Sequence, residues 1–300
     1  MQKLSYYLRD PKRIIAGLVF RLHFLFSDKV YLSILFWAKM GYRLDLKNPR
    51  TFSEKLQWLK LYDRNPLHTQ LVDKILVKEH VRNVVGDAVV IPTLSIWNTV
   101  DEIDISLLPD QFVLKTSNGG GSNGVIVCKD KSMFNINDAK KMLAESLHAN
   151  IYSTHREWPY KNIQPRVFAE KYMVDESGYE LKDYKFLCFN GHVKALFIAS
   201  DRYKGEHETR FDYYDENFNY LELKQSHPNS VSPNTIPPKA FNEMKDIAEK
   251  LSKGFRHVRI DLYCIESKVY FGEMTFFHYS GLQPFYPSKW DRVWGDWLEL

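Results

Sequence analysis

The sequence predicts an α+β fold in which helices accompany mostly antiparallel strands. Polar caps precede stretches with helical periodicity, and Thr51 and Ser53 are candidate caps of a helix that runs through Tyr62. Short runs of β-branched and aromatic residues are typical of strands, and Asn190-Gly191 joins two such runs as a strong hairpin signal. No repeat or Gly/Ser linker divides the 300 residues, so one continuous globule is expected.

The other elements follow from hydrophobic periodicity and turn residues along the chain. Further helices are expected at residues 69–84, 137–147 and 238–255. Residues 201–235 are expected to form a long polar excursion. The expected strands are residues 89–91, 94–97, 111–116, 124–129, 165–174, 184–189, 193–200, 258–265 and 269–275.

Composition is typical of a globular protein from a reducing compartment. Cys128, Cys188 and Cys264 lie far apart without a CxxC pair, so neither a disulfide framework nor a cysteine zinc site is predicted. A cytoplasmic location is therefore expected. The formal net charge of +4 is too small to favour nucleic acid as a partner.

Residues 1–50 are basic and apolar at once. They contain ten lysine and arginine residues and three aspartates, a net charge of +7. Their apolar runs, at residues 14–26 and 30–40, are shorter than the roughly 20 residues that span a bilayer. One interpretation is a helical segment that lies on an anionic membrane surface or docks a partner, with the protein peripheral at the inner face. The alternative is two amphipathic helices packed on the main body.

Residues 119–124 form a glycine-rich loop, GGGSNG, between two expected strands. A dinucleotide-binding fold needs a helix directly after the glycines, and a Walker loop has its lysine after them. Here a strand follows Gly124 and Lys115 precedes the loop, while the HRD and DFG motifs of protein kinases are missing. The remaining functional interpretation is a hairpin loop whose N–H groups close over phosphates beside Lys115. A merely flexible loop is the alternative.

Two carboxylates are expected on one face of the C-terminal hairpin. A three-residue turn at residues 266–268 would place Asp261 opposite Glu273, with Cβ atoms about 5 Å apart. Mg²⁺ is the natural partner of two facing carboxylates, because they otherwise repel. An acid–base dyad for hydrolysis and a surface ion-pair face are alternatives. The same register pairs Tyr263 with Phe271 and Arg259 with Thr275.

In their order along residues 70–280, these motifs resemble the ATP-grasp superfamily. Residues 51–300 are more specifically similar to its TupA-like branch, which is associated with teichuronopeptide and capsular polysaccharide biosynthesis, through the segments TFSEKLQW, LYDRNP and EMTF. Where the superfamily usually has Glu-x-Asn at its last metal position, this chain has Thr275. The matching superfamily positions are Asp73-Lys74, Lys115 with its loop, Ala169-Glu170-Lys171-Tyr172-Met173, Asp261 and Gly272-Glu273-Met274.

The resemblance implies an ATP-grasp fold with a glycine-loop lid and a C-terminal, mostly antiparallel sheet. It divides the chain into a basic helical segment (1–50), an N-terminal α/β part (51–110), a lid subdomain (111–168) and a C-terminal subdomain with a metal site (169–300).

The implied activity is ADP-forming carboxylate–amine ligation through an acyl phosphate, with ATP and Mg²⁺ as cofactors. The expected partners are a uronic acid of an acidic surface glycan and an amine or amino acid. Two alternatives are a glycosyltransferase of capsule or O-antigen biosynthesis and a non-catalytic nucleotide-binding partner of that machinery.

The resemblance and strand alternation together give the candidate site residues. Arg202, Lys204 and Arg210 on the polar excursion are candidates for binding the acidic glycan, or else a solvated loop. His278 is a candidate base toward the amine or a structural histidine. The expected nucleotide contacts are Lys74, Lys115, Ser117, Gly119, Gly120, Gly121, Ser122, Gly124, Glu170, Lys171, Met173, Asp183 and Lys185. The expected catalytic and metal-binding residues are Lys115, Arg259 and His278, and Asp261, Glu273 and Thr275.

Overall fold

A computed structural model of the protein describes residues 11–120, 124–201 and 208–300. The helices in these ranges are α1 (Pro11–Arg21), α2 (Asp28–Met40), α3 (Phe52–Tyr62), α4 (Pro66–Val72), α5 (Val77–Val85), α6 (Ile136–His148), α7 (Ile151–His155), α8 (Phe241–Ser252) and α9 (Lys289–Trp297). The strands are β1 (Thr93–Trp97), β2 (Phe112–Thr116), β3 (Val125–Cys128), β4 (Val167–Lys171), β5 (Asp183–Phe189), β6 (His192–Ser200), β7 (Arg210–Asp215), β8 (Tyr220–Leu221), β9 (His257–Ile265) and β10 (Lys268–Thr275).

Two antiparallel sheets organise the fold. The smaller sheet has the strand order β1-β4-β2-β3, and the larger has the order β10-β9-β5-β6-β7-β8. α8 packs on β5, β6 and β9 of the larger sheet, whereas α6 packs on β2 of the smaller one. The α+β prediction is therefore confirmed.

Helix α3 begins as the sequence predicts, but the next expected helix is interrupted. Thr51 and Glu54 form a reciprocal capping box at the start of α3. The helix expected at residues 69–84 is two helices, because the Asp73 carboxylate accepts hydrogen bonds from the N–H groups of Ile75 and Leu76. This side chain competes with the helical backbone pattern. The N–H of Lys74 instead donates to the carbonyl of Ser117, next to the smaller sheet.

Two further expectations about secondary structure are wrong. Residues 89–91 form no strand, and only Val90 makes a single bridge, to Phe271. The expected polar excursion at residues 201–235 contains β7 and β8 of the larger sheet. Strand β7 has no alternating burial pattern, because its four central residues, 211–214, are all buried, and the surrounding polar residues obscure this short run.

The hairpin of β9 and β10 has the predicted pairing at the site, but its turn is shorter than predicted and a bulge follows the turn. The turn has two residues, Glu266 and Ser267, which both have left-handed φ angles of 48° and 65°. Because of this shorter turn, Tyr263 faces Tyr270 instead of the predicted Phe271, and a bulge at Gly272 then shifts the ladder by one residue. The shorter turn and the bulge compensate for each other. Asp261 therefore does pair with Glu273, and Arg259 with Thr275, as predicted.

Helix α3 supports an unusual turn after β10. Residues 279–281 have three consecutive left-handed φ angles of 46°, 58° and 61°. The carbonyl of Ser280 accepts hydrogen bonds from the amide of Gln57 at 3.0 Å and the ammonium of Lys60 at 2.8 Å. Both donors lie on the buried face of α3, so this helix fixes a backbone segment that begins four residues after Thr275.

The first two helices form a separate apolar cluster. Val19 of α1 and Leu35 and Phe36 of α2 are buried together with Leu282, which follows the unusual turn. Along the described ranges, no helix is both long and apolar enough to cross a membrane.

Candidate active site

A cavity of about 590 Å³ lies between the two sheets. Part of its lining is apolar and includes Val113, Val125, Val127, Met173 and Leu181. The charged side chains of the lining are Lys115, Glu180, Asp183, Lys185, Arg259 and Glu273. The cavity therefore brings residues of the glycine-loop strands and of the acidic hairpin to one space.

Glu170 on β4 lies between a buried lysine, Lys78, and a partly buried one, Lys115. Its two carboxylate oxygens are each 2.5 Å from an ammonium group, Lys78 on α5 and Lys115 on β2. Burial opposes ionisation of Glu170, but the two positive charges outweigh burial and lower the pKa of its carboxyl. Glu170, expected from the resemblance to contact adenine, thus positions two cations beside the cavity.

Sequence reasoning missed Lys78. A single lysine in an amphipathic helix is usually a solvated charge, yet Lys78 is buried and also donates to the carbonyl of Ile91 and the hydroxyl of Thr93. The sequence did contain one signal for its burial. Lys78 lies next to Val77 and three residues before Val81, which are apolar positions of the same amphipathic helix.

Lys74 connects the glycine loop with the acidic hairpin. Its ammonium donates to the carbonyl of Gly119, the first residue of the loop, and lies 3.1 Å from the Glu273 carboxylate. The non-helical break between α4 and α5 makes this reach possible, because Lys74 projects from an irregular segment.

The two hairpin carboxylates are neutralised by cationic side chains. The Arg259 guanidinium donates to both oxygens of Asp261, at 2.6 and 2.8 Å, and to Glu273 at 2.9 Å. Lys185 on β5 binds Asp261 and lies 2.6 Å from Asp183. Burial opposes ionisation of Glu273, but Lys74 and Arg259 together hold the pKa of its carboxyl far below the usual range.

Thr275 and His278 lie beside Arg259. The Thr275 hydroxyl accepts a hydrogen bond from Arg259 at 3.1 Å, and His278 Nδ1 lies 3.4 Å from the same guanidinium. His278 Nε2 lies 2.9 Å from Oε1 of Gln225. Burial first, and then the charge of Arg259, holds the pKa of His278 well below its usual range, so the imidazole is neutral near pH 7.

The glycine-loop residues lie at different depths. Ser117 is fully buried, and its hydroxyl accepts the N–H of Arg166. Gly124 has a φ of 76°, and a Cβ there would lie 2.2 Å from the Ser146 hydroxyl, so this position requires glycine. Gly120 lies at the end of the described segment, whereas Gly121 and Ser122 lie outside the described residues.

Two other candidates, Lys171 and Arg210, are not among the residues that line the cavity. Lys171 is exposed, and its N–H donates to the carbonyl of Pro92. Arg210 at the start of β7 donates to the carbonyl of Asn229 at 3.0 Å. Arg202 and Lys204 lie outside the described residues.

The mixed helices and antiparallel sheets match the fold of the ATP-grasp class, whose enzymes are ATP-dependent carboxylate–amine ligases. The family described as TupA-like ATPgrasp matches residues 54–299. The chain belongs to this family, which confirms the resemblance. No curated protein matches the chain in sequence.

Solved ATP-grasp ligases are similar to the chain in fold. D-alanine–D-alanine ligase from Bacillus anthracis, complexed with ATP, has 12% identity and a TM-score of 0.39, with 69% of this chain and 54% of that chain covered. The corresponding ligase from Helicobacter pylori has 17% identity, a TM-score of 0.42 and coverages of 82% and 69%. The ligase PsnB, solved with a minimal precursor, Mg and ADP, has 12% identity, a TM-score of 0.38 and coverages of 74% and 57%. The chain thus spans little more than half the length of the Bacillus enzyme.

Proposed function

We propose that the protein is an ADP-forming ligase that joins an amine, such as an amino acid, to a uronic-acid carboxylate of a cell-surface polysaccharide. The convergence of Lys74, Lys185 and Arg259 on the acidic hairpin supports this activity most directly. These cations come from three separate parts of the chain and meet at the acidic hairpin, whose Glu273 lines the cavity. Such an arrangement suits a triphosphate, because phosphoryl transfer depends mainly on positioning and charge neutralisation.

The reaction would have two steps. An acceptor carboxylate oxygen bonds to the γ-phosphorus while the bond from phosphorus to the bridging β–γ oxygen breaks, which gives an acyl phosphate and ADP. The amine nitrogen then bonds to the acyl carbon, the carbon–oxygen bond to phosphate breaks and the nitrogen loses a proton. The products are an amide and inorganic phosphate.

The cationic side chains would act on the phosphates. Lys74, Lys115 and Lys185 would bind phosphate oxygens, and Arg259 would neutralise charge on the transferring group. Each of them is held by a carboxylate before nucleotide binds, so little reorganisation is needed. Because both nitrogens of His278 are engaged, its role in this proposal is to orient Arg259.

Mg²⁺ fits the donor set of the acidic hairpin. Asp261 and Glu273 face each other and offer carboxylate oxygens, which Mg²⁺ takes in ones or twos together with phosphate oxygens and water. In the described residues no group of three or more His, Cys, Asp or Glu side chains is placed to hold a metal, so phosphate would supply further ligands. Asp261 and Glu273, with the Thr275 hydroxyl, would hold the ion, which neutralises phosphate charge when bound.

The apolar part of the cavity lining, which includes Met173 just after the hinge strand, would receive adenine. Arg210, near the opposite end of the larger sheet, would contact the acidic glycan together with Arg202 and Lys204. The reaction would take place in the cytoplasm, where ATP is available.

An oxygen-transfer experiment tests this activity. The protein would be incubated with ATP, Mg²⁺, a mixture of amino acids and an oligosaccharide whose uronic-acid carboxylate carries ¹⁸O. An acyl phosphate predicts one ¹⁸O atom in the released phosphate, equal amounts of ADP and phosphate, and a product whose mass corresponds to an amide. A sugar-nucleotide-dependent transferase gives none of these.

Two variants connect the activity to the cavity. Lys115→Ala and Glu273→Ala should each reduce ADP formation by at least about 100-fold, since Lys115 would neutralise phosphate charge and Glu273 would hold the Mg²⁺ that does so. Lys141→Ala, an exposed position on α6, is the matched control and should retain activity. Wild-type ADP release by either cavity variant, or unlabelled phosphate from the labelled acceptor, would contradict the proposal.

A further inference from the structure

The helix α1 has two apolar faces, and the residues that the structure describes cover only one of them. Val19 is buried in the cluster with α2, and Ile15 and Ala16 pack against that cluster. The other face and the turn after it form an exposed stripe. This exposed apolar stripe consists of Ile14, Leu18, Leu22, Phe24 and Leu25, whose exposed fractions are 38%, 53%, 41%, 71% and 64%.

The stripe is continuous along the helix. Ile14, Leu18 and Leu22 are four residues apart and therefore lie on one helix face. The N–H of Leu22 still donates to the carbonyl of Leu18, so the helical path extends to the start of the turn. Phe24 and Leu25 follow in the turn itself. Contiguous apolar patches of this kind mark interaction surfaces.

The surroundings of the stripe are positively charged. Arg21 and Lys29 are exposed next to it, and residues 1–50 contain ten basic residues and three aspartates. Asp28, the acidic residue beside the stripe, is neutralised by Arg64 at 2.6 Å and Arg156 at 3.1 Å. A partner for this surface must therefore combine an apolar layer with negative charge.

We propose that the exposed apolar stripe lies on the anionic face of a phospholipid bilayer, parallel to the surface. The apolar side chains would enter the boundary between headgroups and acyl chains, while Arg21 and Lys29 contact anionic headgroups. A second copy of the chain fits less well, because symmetric docking brings the same positive charges together. None of the stripe residues lines the cavity between the sheets, so membrane attachment does not depend on the ligase activity.

The structure also narrows the set of membrane-facing residues. Phe36, an aromatic residue of the basic N-terminal segment, is fully buried between the helices and cannot contact lipid. The attachment surface is instead α1 and its following turn.

Vesicle flotation with the full chain tests the attachment. Phosphatidylcholine vesicles would be compared with vesicles that also contain phosphatidylglycerol, at low and at high salt. The wild-type protein should bind only the anionic vesicles, and binding should weaken as salt screens the charges. Phe24→Ser/Leu25→Ser and Arg21→Gln/Lys29→Gln should each reduce the partition coefficient about tenfold or more.

A matched double variant controls for general surface hydrophobicity. Val231→Ser/Ile236→Ser changes two exposed apolar side chains elsewhere and should leave vesicle binding unchanged. Circular dichroism would verify that all variants remain folded. The proposal is overturned if the wild type ignores anionic vesicles, or if the stripe variant binds like the wild type. It is also overturned if the stripe variant converts a dimer to a monomer, or if binding requires removal of residues 1–10.

Discussion

Replacing Glu170 by glutamine should destabilise the protein severely. Its carboxylate is buried and contacts Lys78 and Lys115 at 2.5 Å each. Glu170→Gln keeps the side-chain shape but leaves both ammonium groups without a compensating charge. Removing one partner of a buried pair costs about 3–5 kcal/mol, which is a large part of the roughly 5–15 kcal/mol that stabilises a typical domain.

Urea denaturation of the variants in a double-mutant cycle measures this loss of unfolding free energy. The cycle combines Glu170→Gln with Lys78→Met, and the buried pair should couple by about 2 kcal/mol or more, since contacting residues are not additive. Glu145→Gln, at an exposed position of α6, is the control and should change stability by less than about 0.5 kcal/mol.

The contribution of Glu170 to the free energy of unfolding should decrease at acidic pH. The pKa of Glu170 is lowered in the folded protein, so its stabilising contribution is present above the ordinary glutamate value of 4.5 and is lost as pH falls below it. The difference in free energy of unfolding between the wild type and Glu170→Gln should therefore become smaller as the pH falls below 4.5. A loss below about 1 kcal/mol at pH 7, or a coupling energy near zero, would refute the assigned role of the carboxylate.

Two other predictions concern α3 and its surroundings. Burial lowers the pKa of Lys60 to about 7, so between pH 7 and 9 the unfolded chain binds more protons and the free energy of unfolding should rise by up to about 1.4 kcal/mol per pH unit. Lys60→Met should flatten this rise in urea titrations at several pH values; an unchanged slope would contradict the argument. Gly295→Ala should destabilise by about 1–3 kcal/mol, because its Cβ would lie 2.2 Å from the carbonyl of Arg50. Gly17→Ala, where a Cβ meets nothing within 4 Å, is the control, and equal effects of both substitutions would contradict the packing argument.

Local patterns were sufficient to predict the acidic hairpin and most elements of both sheets. Alternation placed Asp261 and Arg259 on one face, and turn residues located the strands that carry Lys115 and Glu170. These features depend on short-range periodicity, which a single sequence contains.

The rest of the site depends on contacts between distant segments. Asp73 ends a helix by bonding backbone N–H groups, although the surrounding periodicity continues. Lys78 resembles a solvated lysine until Glu170, 92 residues away in sequence, is brought beside it. The cationic partners of the hairpin carboxylates were likewise hidden, since Lys74 and Lys185 come from other elements.

The bulge at Gly272 affects how such a hairpin is recognised in sequence. A Cβ there would lie 3.0 Å from the carbonyl of Asp261 and close to the Tyr263 ring, so the bulge has little room for any side chain. The bulge also adds one residue to β10 between the turn and Glu273. A hairpin with the same two-residue turn and no bulge would therefore have its facing carboxylate one position earlier. Aligning such chains by the turn would match Glu273 to the wrong residue, whereas a one-residue gap at Gly272 restores the functional correspondence.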